Sequence, residues 1–232
     1  MKVEIGNATL YLGDCLDILP TLPKVNAVIT SPPYNLGGFH QENKKWAYDS
    51  IDDAMEESAY QESQISVLNA LNADWVFYNH KERIVKGVAI NPLEWVLKSK
   101  WNLMQTIVID GKSTANVDKR RFFPVHEYVY VLADEKGKKL DNVNCLTSVW
   151  SLPKIKRTEK EHPAAFHEML PTNCISACQP DIVLDPYMGS GSTGVATIQQ
   201  GKKFIGIELS KNYFDIACKN IEKAQSQLDL FV

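Results

Sequence analysis

The stretch from Ile182 to Glu208 constrains this chain more than any other. Ile182 to Leu184 reads as a short buried strand. Asp185-Pro186-Tyr187-Met188-Gly189-Ser190-Gly191-Ser192-Thr193-Gly194 follows as a glycine-rich turn, with a helix from about Thr193. Phe204 to Ile207 is a second strand, and Glu208 ends it. A strand, a glycine turn, a helix and a further strand in succession imply an α/β layered fold with a mostly parallel sheet. At 232 residues the chain has room for one large domain, or one domain with a modest insertion.

The rest of the chain repeats the alternation. Ala8 to Gly13 and Val25 to Thr30 read as strands, with one or two helical turns between Cys15 and Leu22. Residues Asn35 to Asp53 are polar and read as a loop. Ala54 to Leu71 has helical spacing, Trp75 to Tyr78 reads as a strand, and Asn91 to Lys98 as a helix. Met104 to Ile109 and Glu127 to Leu132 are further strands, Pro163 to Cys178 is mostly helical, and Asn212 to about Ala224 is an amphipathic final helix. No uncharged apolar run approaches the roughly 18 residues of a membrane span. The first residues carry an early acid and no apolar core, so no secretory signal is expected. Five scattered cysteines (Cys15, Cys145, Cys174, Cys178, Cys218) read as reduced thiols of a cytosolic protein.

The glycine turn suits a ligand that needs close backbone approach and the N–H groups of a helix N-terminus. Glu208 is placed to accept two ribose hydroxyls. Gly189, Gly191 and Gly194 match G-x-G-x-x-G, so a nicotinamide-dependent dehydrogenase is one reading. Asp185 points elsewhere. A carboxylate just before the glycines repels a pyrophosphate and suits a cationic ammonium group, which S-adenosylmethionine has, along with a ribose and no phosphate.

The second landmark is Thr30-Ser31-Pro32-Pro33-Tyr34, at the carboxyl end of an apolar strand, where α/β sheets place their chemistry. Two prolines stop the strand and remove donors. The Ser31 hydroxyl and the Pro32 carbonyl can each accept a hydrogen bond, and Tyr34 offers a flat face. Two acceptors beside an aromatic face suit a planar group bearing an NH₂, such as a flipped nucleobase.

These two elements together resemble the DNA amino-methyltransferases, which methylate exocyclic nitrogens of adenine or cytosine. That family carries a catalytic [DNS]-P-P-[YFW] turn, matched by Ser31, Pro32, Pro33 and Tyr34, and a D-P-F-x-G-S-G-T loop, matched from Asp185 to Ser192. Tyr187 replaces the usual Phe and Ser192 the usual Thr. The catalytic turn precedes the cofactor loop, which resembles the circularly permuted order of the beta class. Gly13-Asp14 matches the family's Gly-Asp near the cofactor adenine, and His162-Pro163-Ala164-Ala165-Phe166 matches its His-Pro element. The likeness runs from about Ala8 to Ile221.

The resemblance implies a Rossmann-like methyltransferase fold, a mostly parallel seven-stranded sheet with one antiparallel strand, for which Glu127 to Leu132 is the candidate hairpin member. It implies S-adenosylmethionine as cofactor, held by Asp14, Asp185, Tyr187, Gly189, Ser190, Gly191, Thr193 and Glu208. It implies direct in-line transfer to a base whose NH₂ is held by Ser31 and the Pro32 carbonyl, with Tyr34 stacked on it. In the family Ser-Pro-Pro-Tyr more often marks cytosine N4 and Asp-Pro-Pro-Tyr adenine N6, so cytosine N4 is favoured, with adenine N6 as the alternative. Related enzymes that methylate RNA or protein amides use Asn-Pro-Pro-Tyr, and Ser31 argues for DNA. Expected partners are double-stranded DNA, a second copy of the chain and a cognate restriction endonuclease, in the cytoplasm of a bacterium or encoded by a phage.

Charge alone favours a solvated loop-rich surface, yet its distribution also leaves room for a DNA partner. The net charge is −3, yet Lys112 to Arg157 holds ten Lys and Arg against five Asp and Glu, a local +5, leaving 15 against 23 elsewhere. Lys119, Arg120 and Arg121, with Lys154, Lys156 and Arg157, form the densest clusters and are the expected phosphate contacts. The loop from Gly37 to Trp46 is expected to join them, with Asn116 or Asp118 reading bases. A C5-cytosine methyltransferase is rejected because no cysteine here follows a proline, as that family's nucleophile does. His162, His167, Cys174 and Cys178 match no common zinc spacing, so no metal is expected. The division expected is a single methyltransferase domain over 1–224, with a small target-recognition insertion within about 110–160, and a C-terminal peptide at 225–232. Its Gln227-Leu228-Asp229-Leu230-Phe231 resembles the short peptide by which bacterial replication proteins dock on the sliding clamp. Gln227, Leu228, Leu230 and Phe231 would make that contact. The competing reading has Leu228 and Phe231 extending the last helix onto the sheet.

Overall fold

The computed structural model describes residues 1–35, 55–111, 122, 125–142, 147–152 and 167–229. In chain order the elements are β1 (Lys2–Ile5), β2 (Ala8–Leu12), α1 (Cys15–Ile18) with a 3₁₀ turn (Leu19–Thr21), β3 (Val25–Thr30), α2 (Glu57–Ala70), β4 (Ala73–His80), β5 (Arg83–Val85), β6 (Val88–Ile90), α3 (Leu93–Val96), β7 (Asn102–Asp110), β8 (His126–Ala133), β9 (Val149–Ser151), α4 (Met169–Cys178), β10 (Ile182–Asp185), α5 (Ser192–Gln199), β11 (Lys203–Glu208) and α6 (Lys211–Asp229).

One sheet of nine strands runs β1-β2-β11-β10-β3-β4-β8-β7-β9, and β5 pairs with β6 in a separate hairpin. The inner seven strands are the expected set, with β8 antiparallel between β4 and β7. The count of seven is corrected to nine because each edge gains a strand. β1 folds back on β2 through Gly6, whose φ is +52°, and the short β9 adds in parallel to β7. β3 and β4 are buried along nearly their whole length, as strands covered on both faces must be.

Helices cover the two faces. On one, Ala27, Ile29, Phe77 and Val183 meet Cys174 and Ile175 of α4, Ile198 of α5 and Phe214, Ala217 and Ile221 of α6. On the other, Val28, Val76 and Tyr78 meet Tyr60, Val67 and Leu68 of α2 and Trp95 of α3. The final helix ends at Asp229 rather than near Ala224. Its apolar stripe explains the extension: Phe214, Ala217, Ile221, Ala224 and Leu228 recur three and four residues apart, and Leu228 packs against the same core. Among the described residues no helix is long and apolar enough to cross a membrane.

Because β2, β11, β10, β3 and β4 are mutually parallel, their carboxyl ends share one edge of the sheet. β7 and β9 point the same way, with Asp110 beside Ser151. The chain therefore leaves the sheet at this edge into 36–54 after the Ser31 turn, into 112–121 after β7, and into 153–166 after β9. These three segments, with Lys119, Arg120, Arg121, Lys154, Lys156, Arg157, Trp46, Asn116, Asp118 and the His162 element, lie outside the described residues, as do Leu230 and Phe231.

Candidate active site

Two motifs lie side by side at that edge, the glycine turn after β10 and the Ser31–Tyr34 turn after β3. In the glycine turn, Gly189 and Gly191 take left-handed backbone, φ +53° and +89°. A Cβ on Gly191 would lie 3.2 Å from Ala217 of α6. Glu208, at the end of β11, is 7% exposed. One carboxylate oxygen accepts the Gly189 N–H at 2.9 Å and the other the Ser210 N–H at 2.8 Å. Burial pushes its pKa upward. A carboxylate offers roughly four acceptor sites, so these two bonds leave capacity for ligand hydroxyls. Gly13 donates to the Glu208 carbonyl at 2.9 Å, which ties the chain just before Asp14 to the end of β11. Asp14 is exposed and caps α1 by accepting the Leu16 N–H at 2.8 Å. Asn220 of α6 holds the Ser190 carbonyl at 2.9 Å.

Asp185 does not have the place its sequence position suggested. It is 1% exposed. Its oxygens accept the Thr30 hydroxyl at 2.8 Å, the Tyr187 N–H at 3.1 Å and the Thr193 hydroxyl at 2.7 Å. Burial pushes its pKa up to about 6 against these bonds. The reading of Asp185 as the direct partner of an ammonium group is corrected: it is an internal brace that ties the residue before Ser31 to the first turn of α5. Thr193 is fully buried and committed to that brace, so its hydroxyl does not face a ligand either.

The Ser31–Tyr34 turn is held from β4 and α2. The Ser31 and Tyr34 hydroxyls lie 2.9 Å apart. The Tyr34 hydroxyl donates to Asn79 Oδ1 at 3.0 Å, with Glu127 Oε2 at 3.4 Å. The Tyr60 hydroxyl donates to the Pro33 carbonyl at 2.8 Å and lies 2.7 Å from His80 Nε2. His80 Nδ1 lies 2.9 Å from the Lys81 N–H and 2.8 Å from the Lys81 carbonyl. Burial holds the His80 pKa down to about 3, which keeps the imidazole neutral. With Pro33 tied back, no group among the described residues donates to the Pro32 carbonyl. The Tyr34 ring is 8% exposed, packed at 4.6 Å on His80 with Lys81 Nζ 5.2 Å from its centroid. Farther out, Arg83 grips Glu57 through its two terminal guanidinium nitrogens, at 2.8 and 2.7 Å, and fastens the first turn of α2 to β5.

The structure thus gathers Asp14, Glu208, the glycine turn and Ser31–Tyr34 along one edge. Thr30, Tyr60, Asn79, His80 and Glu127 join them through contacts between elements far apart in the chain. Gln227 and Leu228 fall on α6. Leu228 packs against the core, so its docking role is corrected in favour of packing.

Known proteins share the family and the fold. A family model described as a DNA methylase matches residues 25–219. The Type II methyltransferase M.ScaI of Streptomyces caespitosus is 28% identical over 267 aligned residues, covering 96% of this chain and 84% of that protein. The solved PvuII DNA methyltransferase (cytosine-N4-specific) superposes with a TM-score of 0.77 at 18% identity, over 97% of this chain and 92% of that one. The M1.HpyAVI–SAM complex superposes with a TM-score of 0.63 at 21% identity, over 92% and 98%.

Proposed function

This chain belongs to the DNA methylase family, and from that premise we propose that it transfers a methyl group from S-adenosylmethionine to an exocyclic amino nitrogen of a base flipped out of double-stranded DNA, cytosine N4 in preference to adenine N6. Membership in the family replaces the dehydrogenase that the glycines alone allowed. The observation that carries the reading is the Thr30–Asp185–Thr193 brace, which couples an acceptor-bearing turn to a glycine loop across two adjacent strands. Bringing two reactants into fixed register is most of what a direct transfer requires.

The residues fit the cofactor. Glu208 has acceptor capacity for ribose hydroxyls, and the left-handed glycines let a ligand approach the backbone. Two buried carboxylates beside the loop oppose a pyrophosphate but not this ligand. M1.HpyAVI, of the same fold, was solved as a SAM complex. When bound, S-adenosylmethionine supplies an electrophilic methyl carbon on a sulfonium. Asp14, Tyr187, Gly189, Ser190, Gly191 and Glu208 would line its site, and Asp185 and Thr193 would hold that lining in place. Ser31 Oγ and the Pro32 carbonyl accept the two N–H bonds of the target, turning the nitrogen lone pair toward the glycine side. Lys81, a flexible side chain, leaves the Tyr34 ring before a base can stack there. The preference for cytosine rests on Ser31 and accords with the cytosine-N4 specificity of the PvuII enzyme, which shares the fold.

DNA would approach the carboxyl edge. The segments that carry Lys119, Arg120, Arg121, Lys154, Lys156 and Arg157 leave the sheet there. Neutralising both clusters should flatten the salt dependence of DNA affinity, and an unchanged slope removes that assignment. The reaction itself is tested by incubating the chain with unmethylated mixed-sequence DNA and labelled S-adenosylmethionine, then analysing nucleosides by mass spectrometry. N4-methylcytosine is expected. N6-methyladenine overturns the base preference, and no methylated nucleoside overturns the function.

A further inference from the structure

The Ser31–Tyr34 contact can run in either direction, and its direction decides whether Ser31 can do what the proposed function asks of it. A hydroxyl that spends its proton on a neighbour shows a substrate only lone pairs. One that keeps its proton can turn it against an NH₂ group, donor facing donor. We infer that Asn79, buried in β4 and away from the substrate, is the positioning residue that sets this direction and makes Ser31 an acceptor.

The argument starts at a backbone carbonyl, which can only accept. Asn79 is fully buried, and its Nδ2 donates to the Tyr128 carbonyl of β8 at 2.9 Å. Turning the amide over would set its oxygen against that carbonyl, so the orientation is fixed. Asn79 Oδ1 therefore faces Tyr34 as an acceptor, and a buried amide oxygen needs its donor. The Tyr34 hydroxyl, 3.0 Å away, gives up its one proton there. Glu127 Oε2, at 3.4 Å, is also an acceptor and enforces the same direction from a longer distance. Tyr34 thus presents a lone pair to Ser31, 2.9 Å away, and Ser31 donates to it. What remains on Ser31 Oγ is acceptor capacity alone. A carbonyl at one end of the chain of bonds determines the polarity at the other, through two side chains that touch no substrate proton.

This inference rests on the proposed function, and one set of measurements separates the two. Asn79→Leu, Tyr34→Phe and the double variant are assayed on mixed-sequence DNA under saturating S-adenosylmethionine, with cofactor affinity and thermal unfolding measured alongside. Asn79→Leu should lower kcat about tenfold, the scale of one hydrogen bond, with cofactor affinity unchanged. In the Tyr34→Phe background the wire is already cut, so adding Asn79→Leu should change kcat by less than about twofold. If Asn79→Leu does not fold, Asn79→Asp serves as the converse. Its Oδ1 still accepts the Tyr34 proton, so a folded Asn79→Asp should keep kcat within about threefold of the wild type. Losses that multiply in the double variant, or a folded Asn79→Asp that loses about tenfold or more, overturn the inference while the methyltransferase stands. A wild type that methylates no DNA overturns both.

Discussion

The two halves of the site are held by different chemistry. The glycine loop is organised by buried carboxylates: Asp185 and Glu208 accept five hydrogen bonds between them, three from backbone N–H groups and two from threonine hydroxyls. The Ser31–Tyr34 turn is organised mainly by neutral groups, a phenol, an amide and an uncharged imidazole. Anionic acceptors make stronger bonds but carry a desolvation cost that varies with pH. Neutral groups give direction without that liability. The loop is therefore built for strength and the turn for polarity, and each should fail in its own way.

The sharpest separation comes from paired substitutions. Ser31→Ala should lower kcat by about a hundredfold or more, the scale of losing one oriented group at a reacting centre, with cofactor affinity nearly unchanged. Gly191→Val should do the reverse. A Cβ at φ +89°, 3.2 Å from Ala217, must move the loop or α6, so calorimetry should show weakened cofactor binding before any loss in saturated turnover. Should Ser31→Ala cost as much cofactor affinity as Gly191→Val, the two regions are one functional unit.

Next in size is Asp185→Ala. It strands two hydroxyls and one N–H, at about 1 kcal/mol each or somewhat more, and urea unfolding should show a loss of about 4 kcal/mol. The pH dependence follows from the same residue. Its folded pKa stands near 6 against an ordinary 3.8. The folded protein keeps that proton longer than the unfolded chain. The part of Asp185's stabilisation linked to that proton is thus fully present below 3.8, is lost as pH rises to about 6, and stays lost above, while its hydrogen bonds to Thr30, Tyr187 and Thr193 remain. The difference in stability between wild type and Asp185→Asn should shift by up to roughly 3 kcal/mol across that window. A constant difference would mean that the carboxylate is not desolvated. The turn should show the smallest effect. Tyr60→Phe releases the Pro33 carbonyl and should cost about 1 kcal/mol. Because His80 is neutral down to about pH 3, that cost should not vary between pH 5 and 8.

What could be read from the residues follows the same division. The glycine loop and the Ser-Pro-Pro-Tyr turn are local patterns, so their position on strand ends was legible, as were the buried strands around them. β1, β5, β6 and β9 were not. Segments such as Lys2–Ile5 and Val149–Ser151 are too short to show a period, and they become strands by finding an edge. The braces were hidden for a related reason. Thr30 meets Asp185 across 155 residues and Tyr34 meets Asn79 across 45, because β3 lies between β10 and β4. Strand order is a tertiary fact that no local period carries. Asp185 was misread on the same account, since the donors that claim its oxygens include one from a distant strand. At the C-terminus, Leu228 continues a stripe that was visible, and a motif resemblance drew attention from it.

One feature of the sheet bears on how the protein is made. β2 leaves the ribosome well before its parallel partner β11, which begins at Lys203, and Gln225 of α6 is what touches Asn7 in the β1–β2 turn. Non-local pairing of this kind is slow, and incomplete chains expose unpaired edges. The first hairpin must therefore wait for β11 before it can dock. Glu208 ends β11 and Asp14 follows β2, so the two sides of the proposed cofactor cradle are made far apart in time. The cradle closes only after translation has passed Glu208, and cofactor capture then becomes a report that the whole sheet has assembled.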